Sequence, residues 1–156
     1  MMSNNLNTEQ KQVSFKAYKD LRQLENALKD LKEANTNLFH LSILGKVNQF
    51  CMDKDIMYSM DNSIIKLYWQ DLMGKTVNFG SYYNPESGSV FVVGYLMTIF
   101  LHKINGKSLA TLSSGSYGIF RGIGGSEAQA TMSLKMLNSG CYLLILRGDK
   151  SELNFL

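Results

Sequence analysis

Apolar and polar positions alternate near the start of the chain: Val13, Phe15 and Ala17 against Ser14 and Lys16. A period of two predicts a half-buried strand. Asp20 follows, with Gln23 three residues on. This spacing predicts a helix start in which the aspartate side chain accepts from exposed N–H groups. Leu21, Leu24, Leu28 and Leu31 then recur at intervals of three and four, with Ala27 and Ala34 beside them, and make one apolar face. Glu25 and Lys29 have the spacing of an i,i+4 ion pair. Asn35, Thr36 and Asn37 stop the helix. Phe39, Leu41 and Ile43 alternate with His40 and Ser42, which predicts a second strand running to about Val47.

In the middle, Asp53 to Met60 and Ser63 to Met73 read as helices. Ile64, Leu67, Tyr68 and Leu72 share a face of the second, Trp69 flanks it, and Gly74 suits its C-terminal cap. Val77 to Gly88 reads as a loop around Pro85, the sole proline. Val90 to Val93 is β-branched and aromatic and predicts a buried strand ended by Gly94. Tyr95 to Ile104 reads as a helix broken by Asn105-Gly106, and Ser108 to Leu112 as a short one. Gly115 to Gly125 reads as a flexible glycine-rich connection. Ser126 and Gln129 repeat the capping spacing, and Ala128, Met132 and Met136 form a stripe that Ala130, Leu134 and Leu137 widen. Gly140 ends this helix. Cys141 to Leu146 is continuously apolar, the pattern of a strand buried on both faces, and Arg147-Gly148-Asp149 reads as a turn.

Without its insertions, about 48–88 and 95–124, the order is βαββαβ. That order predicts an α+β, ferredoxin-like fold: an antiparallel sheet with its helices on one face and a large helical and loop insertion in the middle. Residues 1–12 are polar and read as a disordered lead-in, and 13–156 as a single domain.

Composition narrows the function classes. The 156 residues are 45% apolar and 19% charged, enough apolar side chain to offset the entropy of ordering. Sixteen basic against thirteen acidic residues gives +3, too little for a phosphate-tracking surface, so no nucleic-acid partner is expected. Two cysteines exclude a disulfide scaffold and a four-cysteine zinc site; two histidines argue against most catalytic zinc centres. The N-terminus has no basic-then-apolar leader pattern, and with two cysteines the expected compartment is the cytoplasm. The longest apolar run, Val90 to Leu101, is twelve residues where a spanning helix needs about 20, and it reads as core.

Three segments carry a resemblance. They are Pro85-Glu86-Ser87-Gly88-Ser89-Val90-Phe91-Val92-Val93-Gly94, Gly122-Ile123-Gly124-Gly125-Ser126-Glu127-Ala128, and Gly140-Cys141-Tyr142-Leu143-Leu144-Ile145. With the βαβ opening at Val13 to Leu44 they resemble small bacterial general stress, or heat-induced stress, proteins. The middle of this chain is more polar and less glycine-rich than in such relatives. The resemblance implies a stress association, but no reaction, cofactor or catalytic residue.

Candidate chemistry is sparse. Arg121, Gly122, Gly124, Gly125 and Ser126 precede a helix whose free N–H groups suit an anion. The glycine spacing matches neither phosphate-binding fingerprint, and an ordinary turn into a capped helix is the bland alternative. Trp69, Tyr82 and Tyr83 are candidate pocket-lining aromatics, or a cover for the open side of the sheet. Cys141 reads as a core thiol and Cys51 as the more exposed one. His40 and His102 read as a strand surface residue and a helix C-terminal charge. Nothing is assigned as catalytic, as a metal ligand or as cofactor-binding.

These readings favour a non-enzymatic interaction protein. In the ferredoxin-like fold the second sheet face is not fully polar, which predicts a homo-oligomer formed through the sheet. The alternatives are a small-ligand sensor or enzyme with a pocket between sheet and insertion, and peripheral membrane association through residues 90–101.

Overall fold

The computed structural model describes residues 12–34, 40–57, 62–112 and 115–149. β1 (Gln12–Tyr18) leads into α1 (Leu21–Glu33), whose N-cap Asp20 accepts from the Arg22 N–H at 2.9 Å. Leu21, Leu24, Leu28 and Leu31 are all buried, as their spacing predicts. β2 (Leu41–Lys46) runs directly into α2 (Val47–Lys54), so this helix begins well before the expected Asp53. Val47, Phe50 and Cys51 form its buried face. Residues 58–60, the end of the expected helix, lie outside the described residues, as do the lead-in 1–11 and the expected helix stop at Asn35–Asn37.

α3 (Ser63–Met73) forms where expected, but its inner face is Ile65 and Trp69. Ile64 and Leu67 are 46% and 59% exposed. The expected loop at Val77 to Gly88 is instead β3 (Phe79–Asn84) and a tight turn at Pro85 to Ser87. β4 (Gly88–Gly94) pairs back on β3 from Asn84↔Gly88 to Phe79↔Val93. At Gly94, φ is +100° and an added Cβ would lie 2.3 Å from the Leu41 carbonyl oxygen, so only glycine fits.

The expected helix from Tyr95 to Ile104 is one turn only, α4 (Met97–Phe100). The two-residue strands β5 (Lys103–Ile104) and β6 (Lys107–Ser108) follow, joined by Asn105-Gly106 with positive φ at both. Those angles suit a primed hairpin turn. After a 3-10 turn at Leu109–Thr111, the expected flexible connection contains α5 (Gly115–Gly122). α6 (Glu127–Asn138) opens with a complete capping box: Gln129 N–H donates to Ser126 Oγ, and Ser126 N–H to Gln129 Oε1. Its buried stripe is Ala130, Ser133 and Leu137; Met132 is 56% exposed. β7 (Tyr142–Gly148) continues through the expected turn.

The five-stranded sheet has the order β1-β7-β2-β4-β3, and every neighbour is antiparallel. The α+β class is therefore present, but the ferredoxin-like arrangement does not describe it. In that arrangement the first strand is interior; here β1 is an edge, and the last strand sits between β1 and β2.

Helices also cover both faces rather than one. On one face Leu41, Ile43, Phe91, Val93, Tyr142, Leu144 and Leu146 pack against α1, α2 and α3. On the other Leu44, Val90, Val92, Leu143 and Ile145 pack against α4, α5 and α6. The two insertions are thus outer layers of the core. The open sheet face through which assembly was expected is closed. Val90 to Val93, Leu96 and Phe100 are at most 1% exposed, so the apolar run 90–101 contributes chiefly to these cores. Among the described residues no helix is long and apolar enough to cross a membrane.

Candidate functional site

The glycines and the serine of the expected anion cradle are engaged within the chain. Gly124 N–H donates to the Arg121 carbonyl at 3.1 Å and Gly125 N–H to the Phe120 carbonyl at 2.9 Å. Ser126 is committed to its capping box, and Arg121 lies 3.6 Å from Glu127. Gly122 ends α5. Gly125 is required by close approach, since a Cβ there would meet the Phe120 carbonyl at 2.7 Å and the Phe15 ring at 3.0 Å. The segment serves packing and capping, and a carboxylate already faces the arginine.

The three aromatics do not converge. Trp69 is fully buried in the first core, 5.8 Å from the Phe91 ring and 6.0 Å from Phe50. Its indole nitrogen has no hydrogen-bond partner among the described residues. Tyr82 lies in the second core, across the sheet, with its hydroxyl 2.9 Å from Ser116 Oγ. Burial pushes that phenol up to about 12, only partly offset by Ser116. Tyr83 is 61% exposed.

Both cysteines are buried, Cys51 slightly the more exposed of the two, and burial pushes its thiol up. His40 stacks edge-on against Tyr95 at 5.2 Å, and His102 is exposed. Among the described residues no group of three or more His, Cys, Asp or Glu is placed to hold a metal ion.

What the sequence did not suggest is a polar network joining four elements. Lys54 donates to Glu25 Oε2 at 3.1 Å, and Tyr68 donates to the same oxygen. Lys54 Nζ also lies 4.6 Å from the Tyr68 ring centroid, a cation–π distance. Beside it, Tyr142 donates to Asp53 Oδ2 at 2.6 Å, and Gln49 to Asp53 Oδ1 at 2.9 Å. Glu25 is thereby paired with α2, not with Lys29 of its own helix as its spacing implied. Desolvation raises both phenols, and the carboxylate each one meets raises it further. Both therefore keep their protons near neutral pH and act as donors. A cleft of about 670 Å³ opens over this network, lined by Lys19, Asp20, Arg22, Glu25, Asp53 and Lys54.

Two other concavities flank the second helical layer. One of about 580 Å³ is lined by the Asn84–Ser87 turn, Thr111, Ser116 and Tyr117. Four of its polar side chains already have partners: Asn84 with Ala110 and Glu86, Ser87 with Asn138, Thr111 with Ser108, and Ser116 with Tyr82. The other, about 500 Å³, is an apolar groove along Gly118, Ile119, Gly122 and Ile123. Between the sheet and the first insertion the space is filled by Phe50, Trp69, Phe91 and Tyr142.

The remaining chemistry lies at the sheet margins. β1 pairs with β7 over seven consecutive positions, Gln12↔Gly148 to Tyr18↔Tyr142, without a bulge. On its outer side no strand pairs with it among the described residues. Its apolar row runs outward from buried Val13 through half-buried Phe15 to exposed Ala17. β3, the opposite edge, contains Gly80 and is tied by Ser81 to Asn62 and by Asn84 to Ala110. Comparison with protein-family models, with curated proteins and with solved structures finds no match.

Proposed function

We propose that this chain is a non-enzymatic, stress-associated interaction protein that assembles with copies of itself through a sheet edge. One observation carries the assembly reading. Among the described residues β1 is an edge strand of seven residues with no proline, glycine or bulge, and it bears only one charged side chain, Lys16. Such an edge leaves a row of backbone donors and acceptors ready for another strand. The small net charge, +3, offers little repulsion between copies. The stress association rests on the sequence resemblance alone.

A second reading places the contact on α3. That helix buries Ile65 and Trp69 on one side yet exposes Ile64 and Leu67 on another. Met52 and Met57, which precede it in the chain, are 72% and 86% exposed. A helix apolar on more than one side usually meets more than one neighbour.

The test is the solution mass of the full chain by light scattering and native mass spectrometry at micromolar concentration. A multiple of 17.6 kDa supports assembly, and a monomer at every concentration refutes it. A co-purifying small molecule would turn attention to the cleft over Lys54. The Leu67→Glu variant separates the two surfaces: loss of the oligomer places the contact on α3.

A further inference from the structure

We infer that β1 pairs antiparallel with β1 of a second copy about a two-fold axis at Phe15, joining two five-stranded sheets into one continuous sheet. This rests on the assembly reading above and gives it a register.

An antiparallel ladder requires facing residues to direct their backbone groups at each other, and along one strand those residues alternate. In a strand paired with its own copy, residue numbers at facing positions must therefore sum to an even number. The midpoint of Gln12–Tyr18 is Phe15, and pairing about it uses all seven residues. Phe15 then faces Phe15, Val13 faces Ala17, Ser14 faces Lys16 and Gln12 faces Tyr18.

Chemistry favours this register over its neighbours. Phe15 is half-buried, with its ring 5.4 Å from Phe120, so one side is held in the core and the other is available. Ala17, the exposed end of the apolar row, meets the buried Val13 end of the second copy, and the second core's layer continues across the axis. Lys16 faces a hydroxyl. A shift of the axis by one residue, to Lys16, would set two ammonium groups opposite each other, which destabilises cross-strand pairs. A shift the other way, to Ser14, leaves Ala17 and Tyr18 with no facing residue in the strand. The β3 edge offers less, because Gly80 interrupts its row of side chains.

The register is tested by charge at Ser14, a partly exposed position. In Ser14→Lys, a lysine faces Lys16 twice by symmetry; in Ser14→Glu, a carboxylate does. The two variants should differ in dimer dissociation constant by about tenfold, Ser14→Lys being weaker. Adding Lys16→Glu to Ser14→Lys should restore the dimer. Circular dichroism and thermal melting confirm that each variant folds, and the two single variants share their location and similar bulk. Equal dissociation constants for Ser14→Lys and Ser14→Glu overturn the register. An oligomer indifferent to Ser14 but dissolved by Leu67→Glu overturns it while leaving the assembly reading intact. A monomeric wild type overturns both.

Discussion

The phenol of Tyr142, at the start of β7, donates a 2.6 Å hydrogen bond to the carboxylate of Asp53 near the end of α2. The ring itself is wholly buried among Phe50 and Phe91, so the bond fixes the helix end to the strand beneath it. Removing the hydroxyl leaves the packing in place. Tyr142→Phe should lower unfolding stability by about 1.5 kcal/mol, the low end for a bond to a charged group because Asp53 itself reaches solvent. Urea denaturation at neutral pH reads this directly. An unchanged midpoint would show that water replaces the bond at no cost.

Alkali should unfold the protein through its phenols. The folded-state values of Tyr68, Tyr82 and Tyr142 are raised above the ordinary 10. A raised value means that the folded chain holds the proton more tightly. The associated stability is fully present below pH 10 and is lost as pH rises through the folded values, which for Tyr82 means toward about 12. Buried Tyr82 contributes a slope of about 1.4 kcal/mol per pH unit in that window. Half-buried Tyr68 adds less, because solvent screens its contact with Glu25. Denaturation midpoints at pH 7, 9 and 11 should be nearly flat over the first interval and fall over the second.

Gly45 marks a tight spot between two rings of the first core. An added Cβ would lie 2.6 Å from the Tyr142 ring and 2.7 Å from the Phe91 ring, and both rings are fully buried. Gly45→Ala should cost about 2 kcal/mol through overpacking. For a chain of this size that lowers the melting temperature by roughly 4–8 °C.

Both thiols should be inert in the native state. Cys51 and Cys141 are 8% and 4% exposed, and burial disfavours the Cys51 thiolate. A thiol reagent at pH 8 should label neither within the time that it labels both in denaturant. Rapid native labelling at Cys51 would show that the end of α2 opens locally.

The legible parts of the chain were those where one local pattern acts alone. The leucine spacing of α1, the Ser126–Gln129 box and the apolar run of β7 all appear as expected. The errors arose where tertiary contact decides. β3 contains glycine and asparagine, which are depleted in strands, and lies beside the sole proline, and it is held by pairing with β4. α5 has three glycines and exists because it packs on the 3-10 turn and α6. The continuous apolar runs at Val90 to Val93 and Tyr142 to Leu146 pointed to cover on both faces, a cue that conflicted with the one-sided sheet inferred from element order. The Glu25–Lys54–Tyr68 and Asp53–Tyr142 contacts join residues 29 to 89 positions apart, and no local spacing reveals such pairs. The residues of the candidate anion and aromatic sites were hard to place for a related reason: the fold engages Ser126 in a cap and Trp69 and Tyr82 in two separate cores, and leaves Tyr83 exposed.

The place of β7 between β1 and β2 has a consequence for how the molecule comes into being. β1 has no ladder among the described residues until the chain has been made almost to residue 148. During synthesis only the β2–β4–β3 portion can zip early, while β1 and α1 wait with an apolar surface uncovered. Closure then depends on contacts far apart in the chain, such as Phe15 with Ile145, and such contacts make for slow folding. A nascent chain stalled before Cys141 would display its β1 edge and an unfilled slot beside β2, and it is at this stage that a chaperone has most to shield.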